Sequence, residues 1–325
     1  MFIFKRIDGQ MEQTKRYTEL SAYLRQRFPN FKVQKISINA GFTCPNRDGT
    51  KGWGGCTYCN NQTFSPDCQP TESVSEQLER GVRFFARKYP AMRYLAYFQA
   101  YTNTYASPDR LIALYEEALA YPGVEGLIVG TRPDCMPDEL LRYFDELNRK
   151  RFVLIEYGVE STLDSTLKRI NRGHSEAESE ATIRRTAERG IPVGAHLILG
   201  LPGESRADML RHADVMASLP LTTLKLHQLQ LIRNTRMAHE FATDPSDFHL
   251  FSADEYIDLV IDFIERLPRS LVLERFVSQS PKSLLIAPDW GLKNFEFTAK
   301  VDRRLAERDT YQGRLFTQTN RLQEI

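Results

Sequence analysis

Hydrophobic positions along the chain switch repeatedly between two periods. Six short, nearly continuous apolar runs stand out: Lys35–Asn39, Tyr94–Gln99, Gly126–Gly130, Phe152–Gly158, Pro192–Gly200 and Thr223–Gln228. Each is too short for a helix and reads as a strand. Between them the period changes to that of an amphipathic helix. Ser73–Tyr89 opens on a serine suited to cap it, and Leu111, Leu114, Tyr115, Ala118 and Leu119 share one helical face. Pro137–Lys150 starts on a proline that a first helical turn accepts. Helical material follows the fourth strand as far as Arg189, and Ser205–Ser218 follows the fifth. Tyr256, Val260, Phe263, Ile264 and Leu267 form one more apolar stripe. Strands without polar alternation are buried on both faces, so the pattern predicts an α/β fold with a parallel sheet covered by helices. Periodicity alone does not separate a doubly wound sheet from a barrel.

The rhythm fades at both ends. Residues Met11–Arg27 are expected to form an N-terminal helix. After Leu271, Leu271–Ser278 offers a further strand, Leu284–Phe297 a loop-rich segment, and the region near Lys300–Arg308 a last helix. The expected organisation is an N-terminal helical extension over 1–34, a core over 35–269 and a C-terminal extension over 270–325.

Ligand sites of parallel α/β folds gather at the C-terminal ends of the strands. Here every strand end carries unusual residues. The first is followed by Cys44, Cys56 and Cys59, the second by Gln99, Thr102 and Asn103, and the third by Thr131 and Arg132. Glu160, Arg172 and His174 follow the fourth, Gly200–Glu204 the fifth, and His227 stands at the end of the sixth. One large site at one end of the sheet is the expectation. Three of the chain's five cysteines lie in the first of these loops, with eleven residues and four glycines between Cys44 and Cys56. Thiolates suit zinc, copper(I) or an iron–sulfur cluster. A zinc site completed by Cys68 or a histidine, and a [4Fe–4S] cluster with one iron left open, both fit this spacing.

Composition narrows the setting. The 325 residues are 42% hydrophobic and 26% charged, as in an ordinary globular protein. The first residues carry too short an apolar run for a signal peptide, no window approaches a membrane span, and five cysteines make a poor disulfide framework. A cytoplasmic protein with free thiols is expected. The formal net charge of +1 gives no overall signal for nucleic acid, but its distribution is uneven. Basic residues dominate 1–35, acidic ones dominate 241–267, and Arg303, Arg304, Arg308 and Arg314 make a basic stretch near the C-terminus. Basic segments of this kind meet phosphate or form solvated faces.

Taken together, "CPNRDGTKGWGGCTYCN", "AYFQAYTNTYASP", "GTRPDCMPDEL" and "GVESTLDSTLKRINRGH" resemble the YhcC-like radical S-adenosylmethionine (SAM) proteins. These are relatives of the elongator catalytic subunit and of oxygen-independent coproporphyrinogen oxidase. The resemblance runs from about Lys35 to Gln228, with further similarity toward the C-terminus. It departs from the superfamily's general pattern, which has three residues between the first two cysteines. The resemblance implies a partial TIM barrel of six βα units and a [4Fe–4S] cluster held by Cys44, Cys56 and Cys59. It implies Glu160 at the SAM ribose, Arg172 at the methionyl carboxylate and His196 facing the adenosine. The Gly200–Glu204 loop, with Gly200 and Gly203, would border the adenine, and Thr131 and Arg132 would add weaker contacts. The activity implied is reductive cleavage of SAM to a 5′-deoxyadenosyl radical that abstracts hydrogen, with an electron donor such as a flavodoxin or ferredoxin. The branch points to tRNA as substrate, at a carboxymethylaminomethyl side chain of wobble uridine. Two alternatives stand beside it: a radical SAM enzyme acting on a small metabolite, and a zinc-stabilised, non-catalytic barrel that binds RNA or protein. Cys68, Cys135, His174, His227, Trp53 and Trp290 receive no role.

Overall fold

The computed structural model describes residues 4–7, 10–13, 15–63, 71–87, 89 and 91–317. Its centre is one seven-stranded, all-parallel sheet. The strands are β1 (Val33–Ile38), β2 (Arg93–Phe98), β3 (Val124–Thr131), β4 (Phe152–Glu160), β5 (Val193–Leu199), β6 (Thr223–Gln228) and β7 (Val272–Arg275). They lie side by side in chain order, β1 at one edge and β7 at the other. The sheet curls without closing, which makes a half-barrel: the expected partial TIM barrel, with a seventh strand drawn from beyond residue 269.

Ten helices occur among the described residues: α1 (Leu20–Arg27), α2 (Val74–Ala86), α3 (Pro108–Ala120), α4 (Asp138–Asn148), α5 (Asp164–Arg169), α6 (Glu176–Ala187), α7 (Arg206–Ser218), α8 (Arg236–Thr243), α9 (Ala253–Ile264) and α10 (Asn294–Glu307). Ser73, Ser175, Ser205 and Ser252 each close a capping box with the residue three positions on. None of the helices described is long and apolar enough to cross a membrane.

Alternation on the strands divides the interior in two. Odd positions of β4 (Val153, Ile155, Tyr157, Val159) face the helices and join the main core. Even positions face the lumen. There Phe152 and Leu154 pack with Leu95 and Ile128, while Tyr23, Leu24 and Phe28 of the α1 region close one end as an apolar floor. Phe28 meets Phe152 edge-on at 5.6 Å. The far end of the lumen stays open.

Helix α1 is shorter than the pattern predicts. Instead of continuing back to Met11, the chain is extended before Leu20, with a paired segment at Phe4–Ile7 and Gln10–Gln13. Residues 16–19 are held by partners far along the chain: Leu273 donates to the Thr18 carbonyl at 2.8 Å, Gln312 to the Arg16 carbonyl at 2.9 Å, and Glu19 bridges Leu273. These bonds need extended backbone, which overrides local helical preference. Near the other end, Leu285–Ala287 pairs antiparallel with Leu231–Ile232, and α10 begins six residues earlier than expected.

Strands β3 and β4 leave no room for a side chain at Gly126, where an added Cβ would lie 2.1 Å from the Phe152 carbonyl oxygen. Gly126→Val is expected to destabilise the protein by about 3 kcal/mol, because backbone cannot yield there as a side chain would. Glu125→Gln removes only partly exposed contacts to Arg93 and Arg151 and should cost less than about 1 kcal/mol. Urea unfolding of both variants checks this: equal midpoints would show that the β3–β4 contact is not tight.

Candidate active site

The loop after β1 folds on itself through short backbone bonds. Arg47 donates to the Cys44 carbonyl, Lys51 to Pro45, Gly55 to Asn46 and Cys59 to Cys56, at 2.8–3.0 Å. At Gly49, φ is +91° and the Trp53 indole lies so close that a Cβ would sit 2.4 Å from it; only glycine meets both demands. Trp53 itself is 76% exposed. A second turn clips this loop in place. Asn171, in the left-handed region at φ +52°, donates to the Gly55 carbonyl at 2.8 Å, and its own carbonyl accepts from buried Asn46. Thr57 donates to the Ile170 carbonyl at 2.9 Å.

These turns bring residues from the C-terminal ends of all seven strands, or from the loops after them, around one cavity that opens to solvent. Cys44, Cys56, Cys59, Thr131, Arg132, Glu160, Arg172 and His196 all line it. Gly200 and Gly203 do not; they sit in the loop beyond β5, Gly200 against the Phe251 ring. The three thiols are free. Among the described residues no group of three or more His, Cys, Asp or Glu is arranged to hold a single metal ion. Cys68, the cysteine weighed as a fourth zinc ligand, lies outside the described residues.

The surroundings of the thiols are cationic and rich in donors. Arg172 Nη1 is 3.5 Å from Cys56 Sγ, Asn46 Nδ2 is 3.7 Å from the same sulfur, and Arg132 Nη1 is 3.9 Å from Cys44 Sγ. Buried donors of this kind stabilise thiolates and the sulfurs of an anionic cluster, so the residues present fit such a group. Burial pushes the Cys59 thiol up to about 12, with Cys56 adding to the rise and Arg47 opposing it. Arg132 is fixed in turn. Its Nε and Nη2 grip both oxygens of Asp134 at 2.9 Å, and Lys51 meets the same carboxylate at 2.6 Å. Burial alone would raise the Asp134 carboxyl, but its bonds to Arg132 and Lys51 hold it well below the usual range.

Glu160 ends β4 in a strained conformation. Its φ is +72°, and the register against β5 shifts between Gly158 and Glu160. Its carboxylate stands 3.7 Å from Arg172, whose guanidinium donates to the Gly158 carbonyl. A Cβ on Gly158 would come within 2.5 Å of Glu160 and 2.7 Å of Arg172, so the glycine makes room for this pair. A strained non-glycine residue at a cavity wall is a common mark of a functional position.

Below this ring lies a charged layer that the sequence reading passed over. Glu156 on β4 meets Lys225 at 2.5 Å, His196 at 3.1 Å and Lys35 at 3.3 Å; Glu274 meets both lysines at 2.8 Å. Lys225 also donates to the Tyr97 hydroxyl at 2.9 Å. The signal was present, since Glu156 and Lys225 are lone charges inside otherwise apolar strands. His227 bonds Ser278 and lines the same cavity. His174 bonds locally to Ser175 and Ser179, and burial beside Arg172 and Arg132 lowers its pKa to about 3. Trp290 is structural: it stacks on Phe297 and donates to the Phe251 carbonyl at 2.9 Å.

The uneven charge is largely spent inside the molecule. Arg304 pairs with Asp258, Arg308 with Asp262 and Arg314 with Glu265, so the basic C-terminal stretch neutralises the acidic face of α9. Lys15 and Arg16 pair with Asp302 and Asp309.

Known proteins share this sequence and this fold. Residues 41–216 match the model of the Radical SAM superfamily, and 221–307 that of the Radical_SAM C-terminal domain. The uncharacterized protein YtqA of Bacillus subtilis is 34% identical over 305 residues, covering 93% of each chain. Protein YhcC of Escherichia coli K12 is 36% identical over 277 residues, 85% of this chain and 88% of its own. Among solved structures, the archaeal Methanocaldococcus infernus Elp3 with its N-terminus deleted superposes with a TM-score of 0.64 at 15% identity, covering 87% of this chain and 64% of that one. The choice left open by the cysteine spacing is thereby made for an iron–sulfur cluster. With its half-barrel, its free thiols around one cavity and these relatives, the chain belongs to the radical SAM superfamily, whose cofactors are a [4Fe–4S] cluster and SAM.

Proposed function

We propose that Cys44, Cys56 and Cys59 ligate the cluster, and that Glu160, Arg172 and His196 bind SAM beside it. The observation that carries this reading is the meeting of three free thiols with the pair of Glu160 and buried Arg172 around one cavity. When bound, the cluster and SAM supply one-electron cleavage of the sulfonium and a 5′-deoxyadenosyl radical able to take hydrogen from a substrate. The chain's own residues hold and insulate that chemistry. Arg132 and Arg172 offset the negative charge of the thiolates. Arg172 also offers a carboxylate partner, and Glu160 an acceptor for hydroxyls. Thr131, whose hydroxyl is bonded to Thr104 at 2.6 Å, supports the wall rather than reaching from it. The Gly200–Gly203 loop acts through the position of β5 and its neighbours.

The substrate reading is a wobble-uridine side chain of tRNA, carboxymethylaminomethyl-uridine being remodelled by hydrogen abstraction, with a flavodoxin or ferredoxin as electron donor. It rests on the YhcC-like motifs and on a cationic and aromatic cavity rim, where Arg47 stacks over Tyr101 at 5.5 Å, with exposed Trp53 in the same loop bridged to Asp48. A small-metabolite substrate is the second reading. It is favoured by the internal pairing of Arg304, Arg308 and Arg314, which removes the C-terminal basic stretch from phosphate binding.

Three outcomes are expected. Anaerobically reconstituted protein cleaves SAM to 5′-deoxyadenosine and Cys59→Ala abolishes this; undiminished cleavage in the variant would remove Cys59 from the ligand set. Gly158→Ala drives a methyl group into the Glu160–Arg172 pair and should weaken SAM binding about tenfold in equilibrium dialysis; unchanged affinity would place SAM elsewhere. Mass spectrometry of tRNA nucleosides from a strain lacking the gene should show a carboxymethylaminomethyl-type uridine accumulating as its product disappears, whereas an unchanged nucleoside profile selects the metabolite reading.

A further inference from the structure

The wall formed by β6 and β7 carries a cation that has no partner among the described residues. The register of β7 on β6 shifts between Leu273 and Arg275. Irregularities of this kind re-aim side chains, and here both Glu274 and Arg275 reach the lumen: Glu274 pairs with Lys35 and Lys225, while Arg275 lines the cavity. Among the described residues Arg275 makes no hydrogen bond or ion pair, and its Nε is buried without a partner. Beside it His227 is only 8% exposed, and its Nε2 is likewise buried and unpartnered. The Ser278 hydroxyl bonds His227 Nδ1, and in the tautomer in which that hydroxyl donates, Nε2 carries the proton and is a donor toward the cavity. This wall is held still. The Gln228 amide both donates to the Ser278 carbonyl at 3.0 Å and accepts from the Ser278 amide at 2.8 Å, and Ser280 bonds Gln230 at 2.7 Å.

The charge count points the same way. Lys35, Lys225 and Arg275 face Glu156 and Glu274, three cations against two carboxylates. Burial, with Arg275, His196 and Lys225 nearby, pushes the His227 pKa well below its ordinary value, so the imidazole adds no charge. The layer is one negative charge short, in a site where desolvation makes an unpaired cation costly.

We propose that Arg275 and His227 form a substrate subsite that takes one carboxylate, the guanidinium gripping it in plane and His227 Nε2 adding a third donor. One negative charge completes the layer, and a planar carboxylate matches the planar fork of arginine. The assignment rests on the reading of this cavity as the site of SAM and substrate, and it holds for a nucleoside side chain or a metabolite alike.

The test uses reconstituted holoprotein, with phenylglyoxal labelling of Arg275 followed by peptide mass spectrometry. N-acetylglycine is the carboxylate probe, N-acetylglycinamide its neutral counterpart, and SAM alone a separate arm. The acid should slow labelling about fivefold or more, as a charge-assisted pair would, with the amide and SAM without effect. Equal protection by acid and amide overturns the proposal, and so does protection by SAM alone, which would assign the cation to the cofactor. In cells, the nucleoside change seen on deletion should recur with Arg275→Ala and be partly rescued by Arg275→Lys. A deletion phenotype that Arg275→Ala fails to reproduce also overturns it. If deletion changes no nucleoside while the acid still protects Arg275, the subsite stands and the tRNA reading falls.

Discussion

Glu156 is the residue on which the interior turns. Its carboxylate lies in the middle of the lumen, wholly buried, and meets side chains from β1, β5 and β6. Burial disfavours its charge, yet Lys225 and Lys35 hold its pKa well below the ordinary value. Glu274 completes the set from β7, 2.8 Å from Lys35 on β1. The first and last strands of the sheet do not hydrogen-bond each other, and it is this ion pair that joins their inner faces. Buried ions cost several kcal/mol each to desolvate, and Glu156, Glu274, Lys35 and Lys225 offset that cost by pairing with one another. The network therefore demands a definite curl, because a flatter or tighter sheet would part at least one pair.

The layers of the lumen follow from this. Below the charges, Phe152, Leu154 and α1 make a dry floor. Above them, the strand ends open into a cavity whose wall is cationic wherever a thiol faces it. Each guanidinium near a sulfur is itself braced, Arg132 by Asp134 and by the Arg172 carbonyl, Arg172 by the Gly158 carbonyl and Glu160. Such bracing keeps charge in place without solvent, the condition under which fixed dipoles act most strongly on a reacting group.

Much of this was legible in the sequence, for identifiable reasons. Strands buried on both faces leave unbroken apolar runs, so six of seven stand out and Leu271–Ser278 offers the seventh, and site residues fall at strand ends because the fold leaves them nowhere else to gather. The cysteine loop announced itself by residue type. What escaped was everything that depends on distant pairing. The N-terminal helix stops at Leu20 because Thr18 bonds Leu273, and no local window contains both. The basic C-terminal stretch and the acidic run over 241–267 are both visible in the sequence, the first as a phosphate surface or a solvated face; only the fold puts the two face to face. Glu156 and Lys225 break the apolar pattern of their strands, and only the fold shows that each is the other's partner.

The lashing of residues 15–18 to 309–313 has a consequence for how the molecule is made. Arg16 bonds the Thr310 carbonyl, Thr18 the Gln312 side chain, and Gln312 reaches on to the Pro268 and Leu271 carbonyls. A ribosome adds residues in one direction, roughly 5–20 each second, so the segment leading into α1 waits through nearly the whole of synthesis for its partners. The floor of the barrel is thus sealed after its walls. Until then the nascent lumen is open at both ends, and its thiols stand exposed to the cell's oxidants and metal ions before the finished pocket can select among them.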